Sequence, residues 1–482
     1  MKTRRLTKKE MRIFAVGQLG WSILGGIINA WLVTFYLPTQ GDILNNGAVS
    51  YLPQGLIVLG VLTILGLIAF ICRIFDAVTD PLIASMSDRS KNPKGRRIPF
   101  MRIAAVPFAV VAVLVFCAPV RAVSTINIVW VLFFLILFYL FMTMYCTPYN
   151  ALISEFGKTQ EDRMYISTAI SLTFFFGTMI AYLPFVFAGT VRNLIGGDFP
   201  WSYRICFIVL AVFALICMLI PTFKLNEKEF VDAEPSNSNA LKSLSKTFKN
   251  KEFLKFSASD IAYFIALTLF QTGLPFFVKV SMELDESWSM YFLGGMTVLS
   301  ACFYPIVSKL VSKFGKKKLV ITGFLGLALA YVITALIGVI PGLTGILPGI
   351  LIVVISAFPM ALLGIIPQSI VADVAEEDAI RTGEKREGMF FAARTFAMKM
   401  GQSVAMLIFT SLAILGADNL TNTANQASND ITATVFGLRW VSIAAVVFCT
   451  LGAVILALYN EKMVMSTIEK AHKNEEKQIE NS

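Results

Sequence analysis

Histidine is almost missing: His472 is the only one among 482 residues, and it falls in a polar C-terminal stretch. A histidine proton relay within the apolar part of the chain and a His-ligated metal are thereby excluded. Cysteine is scarce and never paired. The seven, at positions 72, 117, 146, 206, 217, 302 and 449, stand singly in apolar runs without CxxC spacing, so they read as small buried residues and neither a disulfide framework nor a metal site. No nucleophile-base constellation appears, which argues against an enzyme. Charge is thin as well, at 15% of residues against 56% hydrophobic, a balance that excludes an ordinary water-soluble domain.

What is there in abundance is long apolar runs. Stretches of about 20 residues, enough to cross roughly 30 Å of hydrocarbon as helix, occur at Phe14–Leu37, Leu56–Met86, Ile98–Ala118, Ile126–Ile153, Tyr165–Phe187 and Trp201–Phe223. After a polar gap they recur at Phe253–Val280, Trp288–Val311, Leu319–Ile340, Ile346–Val374, Met389–Leu415 and Val435–Leu458. A bilayer core offers backbone groups no water, so these runs must be helices. The expectation is an all-α, multi-pass membrane protein of twelve spans: a six-helix half over 1–224, a linker over 225–252, a second six-helix half over 253–460 and a polar tail over 461–482.

The net charge of +10 is not a nucleic-acid footprint, because of where it falls. Lys2, Arg4, Arg5, Lys8, Lys9 and Arg12 open the chain, and Arg89, Lys91, Lys94, Arg96, Arg97 and Arg102 follow the second span. The alternate loops, such as Pro38–Gln54, Pro341–Gly345 and Ala417–Thr434, contain no Lys or Arg. By the positive-inside rule both termini and the linker are cytoplasmic, which requires an even number of spans. The bilayer and a small-molecule substrate are the implied partners, for a monomer in the plasma (inner) membrane with no cofactor.

The halves repeat at an offset of roughly 220 residues, the internal symmetry of transporter folds. Pro81 through Asp88-Arg89 and Gly95-Arg96-Arg97 is echoed by Pro305, Ser312-Lys313 and Gly315-Lys316-Lys317. Thr147-Pro148-Tyr149-Asn150 through Glu155 is echoed by Ile366-Pro367-Gln368-Ser369 through Asp373. The basic loop has two compatible readings: topology with binding to anionic lipid, or a latch in which Asp88 pairs with Arg96 and Arg97 to hold the cytoplasmic side closed. Gly95 lets the chain turn tightly there.

Ionisable residues inside spans cost about 2.5 to 3.5 kcal/mol each on insertion scales and are functional candidates by default. Arg73, Asp76 and Asp80 fall at i, i+3, i+7 on one face of the second span, and Lys399 stands at similar depth in the eleventh. Two carboxylates one turn apart cannot cheaply both ionise without a compensating cation. Either Arg73 and Lys399 pair with them to hold the halves together, or the carboxylates receive a transported Na⁺ or H⁺ with Lys399 as the competing internal cation. Asp260 and Arg394 read as a loop-proximal salt bridge.

The run Arg73-Ile-Phe-Asp76-Ala-Val-Thr-Asp80-Pro81 with Ser87-Asp88-Arg89 and Gly95-Arg96-Arg97 resembles the second-span signature of the glycoside-pentoside-hexuronide cation symporters, relatives of melibiose permease. The stretch from Ala372-Asp373 and Glu376 through Arg386-Glu-Gly388 to Lys399 is similar to that family's tenth-to-eleventh-span region. The resemblance implies a twelve-helix major facilitator fold and solute uptake coupled to Na⁺, Li⁺ or H⁺. It implies cation-site roles for Asp76, Asp80 and Thr143, and coupling roles for Lys399 and Arg73. Where the family has sugar-binding carboxylates in the first and fourth spans this chain has Ser22 and Cys146, and Ile170 stands at a fifth-span arginine position. Loss of those charged acceptors removes the strongest sugar contacts. Gln18, Ser22, Tyr149, Asn150 and Gln368 remain as neutral hydrogen-bonding candidates for the substrate, or as helix-packing groups. The alternatives to glycoside symport are transport of an amphipathic substrate such as a lysolipid, and a membrane sensor that no longer transports.

Overall fold

The computed structural model describes residues 4–56, 58, 62–88, 90, 92, 95–157, 160–230, 247–340, 342–383, 387–417 and 432–480. Those residues are helical almost throughout, and the only strand-like pairing among them is a single bridge between Val58 and Leu62. The N-terminal part supplies α1 (Lys8–Tyr36), α2 (Gln40–Asn46), α3 (Ile64–Asp88), α4 (Ile98–Leu114), α5 (Thr125–Phe156), α6 (Gln160–Ile180), α7 (Pro184–Ile195), α8 (Phe199–Lys224) and the single turn α9 (Glu227–Phe230). The C-terminal part supplies α10 (Lys251–Phe276), a π-helical turn (Phe277–Ser281), α11 (Trp288–Phe314), α12 (Lys316–Leu336), α13 (Ile346–Thr382), α14 (Glu387–Leu412), α15 (Val435–Ala457) and α16 (Glu461–Glu480).

Among the described residues eight helices are long and apolar enough to cross a membrane, or nine if the α6–α7 pair, bent by 40°, counts as one span. Three further helices miss that measure for visible reasons. α3 carries Arg73, Asp76 and Asp80, α4 has 17 residues, and α14 carries Arg394 and Lys399. Large apolar side chains such as Ile103, Val129, Phe133, Val209 and Val454 are exposed on these helices. In water such a surface would aggregate; against lipid it is the expected exterior, and the chain is a multi-pass integral membrane protein.

Helix ends follow the sequence. Thr7 and Glu10 form a capping box on α1, satisfying donors that would otherwise be orphaned. Asp198 caps α8, accepting from the Trp201 N–H at 3.2 Å, with Pro200 in the first turn. Two boundaries differ from the hydropathy reading. The second span starts at Ile64 and not Leu56, and the described residues just before Leu56 form a loop. Asn127 ties that loop down by donating to the Tyr51 carbonyl at 3.0 Å, and Gln54 by donating to the Tyr36 carbonyl at 2.6 Å. The fifth apolar run is not one straight helix: α6 ends at Ile180 and Pro184 begins α7, since proline cannot supply the N–H that would continue the ladder.

The chain forms two compact units. One gathers Met1–Ser238, Gln271–Tyr291 and Met406–Leu438; the other gathers Asn239–Phe270, Phe292–Ala405 and Arg439–Ser482. Inside the first, Trp31 of α1 donates to the Ala181 carbonyl at 2.9 Å and stacks on Phe185 of α7 at 3.8 Å between ring centroids. Tyr149 of α5 stacks on Phe14 of α1 at 4.3 Å. Inside the second, Tyr331 of α12 donates to the Ala266 carbonyl, Ser259 of α10 donates to the Gly452 carbonyl at 2.8 Å, and Phe253 meets Phe390 edge to face.

Candidate functional site

α3 and α5 lie side by side in the first unit and meet through polar side chains one helical turn apart. Thr143 donates its hydroxyl to Asp76 Oδ1 at 2.8 Å, and Thr147 donates to Asp80 Oδ1 at 3.2 Å. Both pairs advance by four residues on both helices, so the helices run parallel and the contacts form two successive rungs. Asp76 and Thr143 are buried, and Asp80 is partly exposed. A proline follows each member of the second rung: Pro81 on α3 and Pro148 on α5. Without their N–H groups, the carbonyls of Ala77 and Met144 lose their helical donors, leaving two backbone acceptors beside the rungs.

Arg73 is held chiefly by other partners. Its Nη2 donates to Asn29 Oδ1 of α1 at 2.7 Å, and its guanidinium lies 4.8 Å from the Tyr139 ring centroid. Its approach to Asp76 is 3.9 Å, at the far limit of an ion pair, while Thr143 makes the short contact. The cluster brings together two carboxylates, two hydroxyls and a guanidinium. Carboxylates, hydroxyls and carbonyls are the oxygen donors that hard cations take. Lys399 is buried in α14 within the second unit, where Ser403 donates to its carbonyl at 2.9 Å.

The remaining expected residues separate. Gln18 and Ser22 bond to each other within α1: Gln18 Nε2 donates to Ser22 Oγ at 3.0 Å, and Ser22 Oγ donates to the Gln18 carbonyl at 2.6 Å. Tyr149 donates to the Phe14 carbonyl at 2.9 Å. All three are buried, and these bonds link α1 to itself and to α5. Asn150 and Gln368 are exposed on α5 and α13.

The basic loop is pinned from an unexpected direction. Arg96 and Arg97 reach Glu155 at the end of α5, at 3.0 and 2.9 Å, while the side chain of Asp88 lies outside the described residues. The backbone N–H groups of Arg96, Arg97 and Ile98, opening α4, all donate to the carboxylate of Glu227, at 2.9, 2.8 and 2.9 Å. A carboxylate at a helix N-terminus meets both orphan donors and the positive dipole end. Gly95 turns the chain at φ 116°, and a Cβ there would fall 2.4 Å from a Glu227 oxygen. The second half repeats the arrangement. Gly315 has φ 82°, the N–H groups of Lys316 and Lys317 donate to Glu461 at 2.7 and 3.2 Å, and Lys316 Nζ reaches Asp373 at 2.5 Å. Asp260 and Arg394 form the expected ion pair, at 2.7 Å.

Four of these participants escape a reading of the sequence. Thr147 carries a usable signal, since it follows Thr143 at the spacing by which Asp80 follows Asp76. Asn29, Glu227 and Glu461 carry none, because their partners are remote in the chain.

The profile of the family described as "MFS/sugar transport protein" matches residues 13–460. A putative 2,3-dihydroxypropane-1-sulfonate exporter of Salmonella typhimurium is 25% identical over 487 residues, covering 97% of this chain and 96% of that protein. A putative glycoside/cation symporter of Escherichia coli, YagG, is 23% identical over 343 residues, covering 71% and 72%. Among solved structures, the nucleoside transporter NupG superposes with a TM-score of 0.58 at 16% identity, covering 95% of this chain and 98% of NupG.

Proposed function

We propose, from the premise that this chain belongs to the MFS/sugar transport protein family, that it moves a small polar organic solute by alternating access in symport with a monovalent cation bound at Asp76 and Asp80. The observation that carries the coupling is the pair of carboxylate–hydroxyl rungs between α3 and α5, a set of oxygen donors suited to one Na⁺, Li⁺ or H⁺. A cation between two carboxylates relieves the repulsion that otherwise penalises ionising both. Thr143 and Thr147 orient the oxygens. Arg73, drawn aside by Asn29 and Tyr139, lowers the cost of the buried charge without occupying the short-contact position on Asp76. A glycoside or related polyhydroxylated solute is the substrate class that the names of the relatives favour; Asn150 and Gln368 are exposed candidates for contacting it.

The test is uptake by proteoliposomes containing the purified protein, under an imposed Na⁺, Li⁺ or proton gradient, over a panel of glycosides, hexuronates and sulfonated sugars. One cation should drive accumulation, and Asp76→Asn should abolish that drive while leaving downhill exchange. Accumulation that ignores every cation gradient, or wild-type ion dependence in Asp76→Asn, overturns the assignment.

A further inference from the structure

At the end of the first unit away from the basic loops, residues from distant parts of the chain meet on one ammonium. Lys279, in the π-helical turn after α10, contacts both Asp42 at the start of α2 and Glu286 in the segment before α11. Tyr203 of α8 donates to Glu286 at 3.1 Å. Asp42 is buried, accepts from Thr39 Oγ1 at 2.6 Å and from Asn46 Nδ2 at 3.0 Å, and Asn46 in turn accepts from Arg192 of α7. Thus Asp42 and Tyr203 belong to the N-terminal helices, and Lys279 and Glu286 to the C-terminal ones.

Two features mark the segment that bears Lys279. The helix widens from α to π geometry at Phe277–Ser281, a departure frequent at functional positions. Glu283 then has φ 57°, the one non-glycine residue with positive φ among those described, a conformation that costs about 1 kcal/mol or more for a residue with a Cβ. In the same unit Phe276, just before the π-helical turn, meets Phe409 of α14 at 5.4 Å between ring centroids, and the neighbouring Thr410 lies so close to α3 that a Cβ on Gly66 would fall 2.2 Å from its Oγ1.

We infer that Lys279 with Asp42, Glu286 and Tyr203 forms a charge latch that closes the solute pathway at the face opposite the basic loops, and that it must break for that face to open. Any contact joining N-terminal to C-terminal helices at one face is lost when a two-half transporter opens there. The ammonium serves two carboxylates, so the closed latch carries one negative charge too many. Burial, and then the neighbouring Asp42 carboxylate, raise the affinity of Glu286 for a proton above the ordinary carboxylate value, against the opposing pull of Lys279. The facing groups are Asp42, Lys279 and Tyr203, with Arg192 one hydrogen bond further out. On opening, Glu286 regains water and its ordinary pKa. Protonation of Glu286 therefore favours the closed latch, and this advantage is lost as pH rises through the raised pKa. The latch is independent of which solute or cation is carried.

The experiment uses the full chain with its seven cysteines replaced and Thr410→Cys introduced as a reporter at a position buried in this structure. Labelling by a membrane-impermeant maleimide is measured from the face opposite the basic loops. Lys279→Met should speed labelling threefold or more, Lys279→Arg should stay within twofold of the parent, and the ratio of parent to Glu286→Gln rates should rise with pH. Thermal unfolding checks that each variant is folded; if Lys279→Met is not, Asp42→Asn carries the same test and should also label faster. A folded Lys279→Met or Asp42→Asn protein labelled at the parental rate overturns the latch, and a parent to Glu286→Gln ratio flat with pH overturns its proton dependence.

Discussion

The threonines of α5 decide how well the two aspartates of α3 are aimed. A hydroxyl donating to a carboxylate is worth about 1.5 to 3 kcal/mol, and Thr147 makes its bond to the less buried Asp80 at the longer distance, 3.2 Å. Thr147→Val should therefore weaken cation affinity about tenfold with little change in expression, and Thr143→Val should weaken it more, because its 2.8 Å bond reaches the fully buried Asp76. Titration of ion-dependent uptake in the two variants checks both the direction and the order. At this scale the aspartates were legible because a charge inside an apolar run is conspicuous. Asn29 was not: a neutral amide in the first span gives no sign that Arg73, 44 residues later, will lean on it. Gln18, Ser22 and Tyr149 looked equally eligible for a substrate, since sequence cannot show that Gln18 donates to Ser22, Ser22 to the Gln18 carbonyl and Tyr149 to the Phe14 carbonyl.

Among the elements, α4 owes its start to a residue more than a hundred positions away. Glu227 takes three backbone N–H groups that no intrahelical carbonyl can serve. Glu227→Gln keeps the shape but exchanges charge-assisted acceptors for neutral ones and turns one oxygen into a donor facing donors. It should cost about 1 to 3 kcal/mol, seen as a lower Tm in detergent. Glu461→Gln, with two such bonds on α12, should cost less. The helices themselves were largely legible as apolar runs, yet hydropathy alone could not report the bend at Pro184 or the late start of α3. Both depend on backbone hydrogen bonding, on which apolar character is silent.

For the molecule as a whole, the sequence disclosed the repeat of its halves through Gly95-Arg96-Arg97 and Gly315-Lys316-Lys317, but not why the repeat is kept. The structure supplies the reason, a glycine turn pressed on a capping glutamate in each half. Lys399 carries a prediction that belongs to this scale, since it lies in the unit that does not contain Asp76. If ion binding and movement of the halves are one process, Lys399→Met should leave the fold intact, abolish coupled accumulation and shift ion affinity; Lys399→Arg should restore only part, because a planar guanidinium presents its donors differently from a compact ammonium. Normal ion-dependent uptake by the methionine variant would make the lysine a bystander. Glu227 and Glu461 carry one last consequence. Glu227 stands just past α8 and grips the start of α4, and Glu461 stands just past α15 and grips the start of α12. Each glutamate thus ties together two helix ends more than a hundred residues apart without a covalent link, and a chain cut in the loops between them would still be held at that point.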